Sequence, residues 1–164
     1  MVCMQNFFLL FRKNQRKGAS LIEILAALAF VMLLSATALA AFSQFRTRKT
    51  MDAAMEKVLA AFSQAHLDTI SSRNNKQYGV HLAPDQTVYF AGPAYATGTV
   101  TNIVYKLNPT IEIYNISLAG GGTDVLFNRL TGGTSQSGTF EVRAKGNSAI
   151  RTLVTVNGTG AVSL

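Results

Sequence analysis

The chain has 164 residues, 15 Lys+Arg against 8 Asp+Glu, and a hydrophobic fraction of 48%. That length suits one compact domain with appendages, and a lone cysteine, Cys3, excludes an internal disulfide framework and a Cys-based metal site. The net charge of +7 is unevenly placed: Arg12, Lys13, Arg16 and Lys17 all precede the first acidic residue, Glu23, and a chain beginning at Ala19 would keep 11 Lys/Arg against 8 Asp/Glu.

From Ile24 to Phe42 there is no charge, and Ser35 and Thr37 are the only polar residues. As a helix this run reaches ~28 Å at about 1.5 Å per residue, close to the roughly 30 Å of a bilayer core, so one pass is expected. Four basic residues stand before it, which puts the N-terminus in the cytoplasm and the C-terminus outside. Two ordinary readings compete. One is a plain signal anchor; the other is a secretory signal cut at Ala38-Leu39-Ala40, releasing a soluble protein that starts near Ala41. Glu23 argues against both. A carboxylate in an apolar span costs roughly 2.5–3.5 kcal/mol at the bilayer centre and less near an interface, and neither reading has a use for it.

The segment Lys17-Gly18-Ala19-Ser20-Leu21-Ile22-Glu23, followed by that apolar helix, resembles the class III signal of type IV pilins and pseudopilins. The resemblance implies a prepilin peptidase that cuts between Gly18 and Ala19 and methylates Ala19. It also implies that Glu23 pairs with the N-terminal amine of a neighbouring subunit, which would offset much of the desolvation of both groups. The implied partners are the peptidase, other pilin or pseudopilin subunits, and the membrane. An assembly platform and its ATPase act indirectly, because the chain carries no nucleotide-binding motif of its own. The implied location is the bacterial inner membrane, then a pilus or pseudopilus. Many major pilins have proline where this chain has Ala40; its absence favours an unbroken helix and a minor pilin or pseudopilin.

Beyond the apolar run, Met51, Met55, Val58, Leu59, Phe62, His66 and Ile70 recur at helical spacing, with Arg48, Lys49, Asp52, Glu56 and Lys57 elsewhere on the surface. This stripe is expected to dock on a globular domain, and Ser71-Ser72-Arg73-Asn74-Asn75 to end the helix. Short β-rich segments follow: Tyr78–Leu82, Thr87–Ala91, Thr99–Lys106, Thr110–Ser117, Asp124–Arg129, Thr139–Ala144, Ile150–Val156 and Gly160–Leu164. Asn157-Gly158 signals a tight hairpin between the last two. The predicted class is α+β: a long N-terminal helix, transmembrane in its first half, packed on an antiparallel β domain, the pilin-like fold. The expected divisions are a leader at 1–18, a membrane and filament segment at 19–42, an amphipathic continuation at 43–72 and a β domain at 73–164. The closing stretch from Arg151 to Leu164 resembles the last hairpin of GspH/FimT-like minor pseudopilins.

No catalytic constellation, cofactor motif or metal-ligand set is legible. His66 and His81 lack acidic neighbours at ligand spacing and read as satisfied or exposed structural residues. Gly120-Gly121-Gly122 lacks the Lys-Ser/Thr of a phosphate loop and reads as a turn. Asn115-Ile116-Ser117 and Asn157-Gly158-Thr159 match the glycan sequon by spacing alone. Minor pilins of DNA-uptake systems can bind DNA, and Arg143, Lys145 and Arg151 form the candidate basic patch for phosphates, against a plain solvated strand surface. A membrane-anchored or secreted β domain outside any filament is the remaining alternative.

Overall fold

The computed structural model describes residues 20–164. It contains a helix α1 (Leu21–Ile70), a 3-10 turn at Arg73–Asn75, and eight strands: β1 (Tyr78–Ala83), β2 (Gln86–Ala91), β3 (Ile103–Lys106), β4 (Ile111–Leu118), β5 (Asp124–Leu126), β6 (Gly138–Ala144), β7 (Asn147–Val156) and β8 (Val162–Ser163). The chain divides into two compact units, one ending at Ala41 and one from Phe42 to Leu164. α1 continues without a break past Ala40.

In the first unit every described side chain from Leu21 onward is exposed. The helix there has no buried stripe; Leu21, Phe30, Met32 and Leu39 are all at least two-thirds exposed. A helix apolar on all sides is one that belongs in lipid or among other helices.

The second unit has a stripe. Met51, Ala54, Met55, Val58, Ala61, Phe62 and Ala65 are buried, at alternating three- and four-residue steps. They join one core with residues of both sheets. The strands pair antiparallel in the orders β3-β2-β1-β5 and β4-β6-β7-β8. Along β6 the expected alternation puts Phe140, Val142 and Ala144 inward and Thr139, Glu141 and Arg143 outward. Phe62 from α1 stacks on Phe140 at 5.8 Å and meets Phe127 edge-on at 6.3 Å. Truncating a core phenyl of this kind typically costs about 3–5 kcal/mol.

The stripe differs from the expected one at its far end. Leu59 is half-buried and Ile70 is 40% exposed, while Asp68 and Thr69 are buried. The reason is a polar knot. The Asp68 carboxylate accepts from Gln64 Nε2 (2.7 Å), Tyr89 Oη (2.8 Å) and Arg73 Nη1 (3.2 Å). Thr69 Oγ1 accepts from the Tyr78 N–H (3.1 Å), and its carbonyl accepts from the Leu130 N–H (3.2 Å). These bonds fasten the last turn of α1 to β1, β2 and the loop after β5, where a helix would otherwise leave carbonyls unpaired. Ser72 and Asn74, both left-handed, then turn the chain out of the helix.

Three strands, β3, β5 and β8, are shorter than expected, the first two for a local reason. Thr99 and Asn102 both donate to the Ala96 carbonyl and close a turn, so β3 starts only at Ile103. After Leu126 the Asn128 N–H donates to Gly133 and ends β5 in a loop. The hairpin between β7 and β8 also differs. The left-handed residue is Gly160 (φ 84°), not Gly158, and the Gly160 N–H donates to Asn157, so the loop is a turn closed by a glycine bulge. A Cβ on Gly160 would overlap the Gly132 carbonyl and press on the His66 ring. The Gly120-Gly121-Gly122 turn carries three consecutive positive φ angles. Asn115 sits in the bulge of β4 with φ 52° and donates to Glu141, which accounts for the residue without a glycan.

Two predictions follow from this packing. Burial raises the pKa of Asp68, but hydrogen bonds from Gln64 and Tyr89 and the charge of Arg73 outweigh it and hold the carboxyl below its ordinary value. Such a group stabilises the fold above the ordinary carboxylate range, and that stabilisation drains away as the pH falls through its lowered folded value. Asp68→Asn should cost roughly 1–3 kcal/mol at neutral pH and flatten the loss of stability on acidification, read by denaturant titrations at about pH 7 and about pH 3. Gly160→Ala should lower the thermal midpoint of the detergent-solubilised chain, whereas Gly146→Ala, whose Cβ meets nothing, should be near neutral.

Candidate functional site

Glu23 lies in the first turn of α1. The Ser20 carbonyl accepts from the N–H groups of Glu23 (3.0 Å) and Ile24 (3.2 Å), so the helix begins immediately before the carboxylate. An anion there interacts favourably with the helix dipole by about 0.3–1 kcal/mol, too little to offset its placement in an apolar segment. Among the described residues no cation stands within ion-pair distance of it. The next basic residue along α1 is Arg46, roughly 34 Å away at about 1.5 Å per residue. Gly18 and Ala19, the expected cleavage pair and methylation site, lie outside the described residues.

The basic patch residues are brought together, but with acids among them. Arg143 and Arg151 are cross-strand neighbours on the outer face of the second sheet. Arg143 is opposite Glu112, with Nε 2.7 Å from its Oε1, and its guanidinium lies 3.5 Å over the Tyr114 ring. Arg151 reaches Glu141 at 3.7 Å. Lys145 stands apart, exposed in the turn between β6 and β7. Sheet register, which brings together positions distant in sequence, puts a carboxylate beside each arginine. Tyr114 (49% exposed) and Leu153 (51% exposed) flank Glu141 in the next row, so this face is mixed and nearly neutral.

Of the two histidines, expected to be satisfied or exposed, His81 is satisfied and His66 is neither. His81 has an acidic partner from a distant strand: its Nδ1 lies 2.6 Å from Asp124 Oδ1, and Tyr95 stacks on the ring at 3.9 Å. Thr123 Oγ1 approaches the same nitrogen, at 3.5 Å, so no relay through both ring nitrogens is formed. His66 is neither satisfied nor exposed. It is half-buried, edge-on to Phe127, and its buried Nε2 has no hydrogen-bond partner among the described residues. Among the described residues no cluster of three or more His, Cys, Asp or Glu could hold a metal ion.

No family model matches the chain, and no curated protein matches it. Solved structures do. The type IV minor pilin FimU of Pseudomonas aeruginosa, in one crystal form, is 16% identical with a TM-score of 0.54, over 73% of this chain and 91% of that one. A second crystal form of FimU gives 14% identity and a TM-score of 0.50, over 68% and 90%. The fold is therefore the pilin-like one: a long N-terminal helix packed, through its second half, on antiparallel sheets. α1 is the one helix among the described residues that is long and apolar enough to cross a membrane.

Proposed function

We propose that this chain is a filament subunit of the type IV pilin class, a minor pilin or pseudopilin, stored in the membrane as a precursor and polymerised through α1. The observation that carries the reading is the exposed apolar first half of α1 with a single carboxylate at its start. Such a helix packs equally well in lipid or in a bundle of its own kind, so leaving the bilayer exchanges one apolar environment for another. Glu23 then has a purpose: its charge is neutralised by the N-terminal amine of a neighbouring subunit, which sets the register between adjacent subunits. On this reading a prepilin peptidase cuts between Gly18 and Ala19 on the cytoplasmic side and methylates Ala19. The C-terminal domain faces outward, and an ATPase acting through an assembly platform supplies the work. The likeness to a type IV minor pilin supports the minor-subunit assignment, as does the absence of proline in α1. A secretory cut after Ala40 would sever α1 in mid-course.

The intact mass of the protein purified from membranes tests the processing step. The expected mass is that of a chain starting at Ala19, with or without one methyl group; a start near Ala41, or an uncut N-terminus, would sink the proposal. Glu23→Ala should leave membrane insertion intact and abolish or sharply reduce co-assembly with other pilins, scored by cross-linking in sheared filament fractions. Unimpaired assembly would remove the pairing role.

The DNA reading of Arg143, Lys145 and Arg151 stands second, because two of the three cations are already engaged by carboxylates. If the patch binds phosphates, replacing all three by alanine should weaken a DNA mobility shift and flatten its salt dependence by up to about three phosphate contacts. An unchanged shift would dismiss it.

A further inference from the structure

The head surface beside the start of the second unit carries a groove with a distinctive lining. It encloses about 560 Å³, and Ser43, Arg46, Asn108 and Asn147 line it, with no acidic side chain among its described lining residues. A second hollow of about 510 Å³ continues it, sharing Arg46 and Asn108 and adding the cations Lys49, Lys57 and Lys106. Most of the polar groups here have assigned tasks. Lys57 donates to the Lys106 carbonyl (2.8 Å), and Lys49 lies 3.7 Å from Asp52. Asn108 Oδ1 accepts from Thr110 twice, and Asn147 Oδ1 accepts from the Ala149 N–H, which leaves both side-chain amide NH2 groups as donors. Arg46 makes no ion pair among the described residues. One uncommitted guanidinium with hydroxyl and amide donors around it suits a phosphodiester.

Depth decides which phosphodiester. The apolar run ends at Phe42. At about 1.5 Å per residue Arg46 comes roughly 6 Å beyond it, and Lys57 roughly 22 Å beyond. The headgroup layer on each side of a bilayer is only about 5–8 Å thick. Arg46 is therefore at headgroup level, and Lys57 is clear of it. We infer that this groove holds the headgroup phosphate of an anionic phospholipid of the outer leaflet, with Arg46 as the cation and Ser43, Asn108 and Asn147 as donors. The inference rests on the membrane placement proposed above. Bound lipid fixes the depth of the subunit before assembly and has to be released when the subunit leaves the bilayer.

The test uses the full chain reconstituted into vesicles of phosphatidylcholine mixed with phosphatidylglycerol, floated on a density gradient, then extracted and weighed by native mass spectrometry. Retained phosphatidylglycerol should exceed retained phosphatidylcholine, and Arg46→Gln should cut that preference about fivefold. Lys57→Gln should leave it unchanged. Equal retention by Arg46→Gln overturns the inference, as does an equal loss in Lys57→Gln, which would mean diffuse charge attraction. Displacement of the lipid by inorganic phosphate would identify a soluble-anion site instead and overturn the lipid assignment. So would a finding that Arg46→Gln spares lipid retention but impairs co-purification with other subunits, which would make the groove a protein interface. A chain that fails to float sinks the membrane reading along with this one; a chain that floats without lipid preference sinks this one alone.

Discussion

On the proposed reading one helix has to satisfy two surroundings, and the rest of the molecule follows from how it does so. Between its two ends the backbone donors and acceptors of α1 are paired internally, which would permit its apolar half to enter a medium without water. The side chains then divide the labour. From Ile24 to Phe42 they carry no charge and form no buried stripe. From Met51 to Thr69 there is a single buried face, and residues of both sheets share its core.

The head uses that face economically. Alanines at 54, 61 and 65 are buried in the core, and Phe62 packs against both Phe127 and Phe140. The apolar stripe gives way at Asp68 to a charged group that is buried but fully engaged, which is the condition under which a carboxylate is tolerated inside a fold. The outer face of the second sheet works by a different rule. There the arginines are paired with glutamates of neighbouring strands, so the charges on that face largely offset one another.

Much of the fold was legible in the residues. Strand segments announced themselves by β-branched runs between turn residues, and Phe140, Val142 and Ala144 point inward as their alternation required. Large side chains at helical spacing mark the stripe only in part: Ala54, Ala61 and Ala65 belong to it too, and it closes on Asp68 and Thr69, not on Ile70. A buried polar knot has no periodic signature, because its partners at Tyr78 and Tyr89 belong to other elements. The same limit applies to the head surface. The His81–Asp124 contact and the Arg143–Glu112 and Arg151–Glu141 pairs depend on strand register, which only folding reveals. At the start of the helix, by contrast, Glu23 stood out from sequence alone because an isolated charge in an apolar run needs a reason.

The knot at the end of α1 also matters for how the molecule bears force. Tension arriving along the helix axis would load Asp68, Thr69 and the Leu130 amide together, since all three ties meet the same final turn. Bonds loaded in parallel share the strain, whereas bonds loaded in series open one after another. The buried face from Met51 to Ala65 adds a long contact that would have to slide as a block. Pulled by its helix, the head should detach abruptly at a high force, in the manner of a lap joint in shear, with little gradual unravelling beforehand.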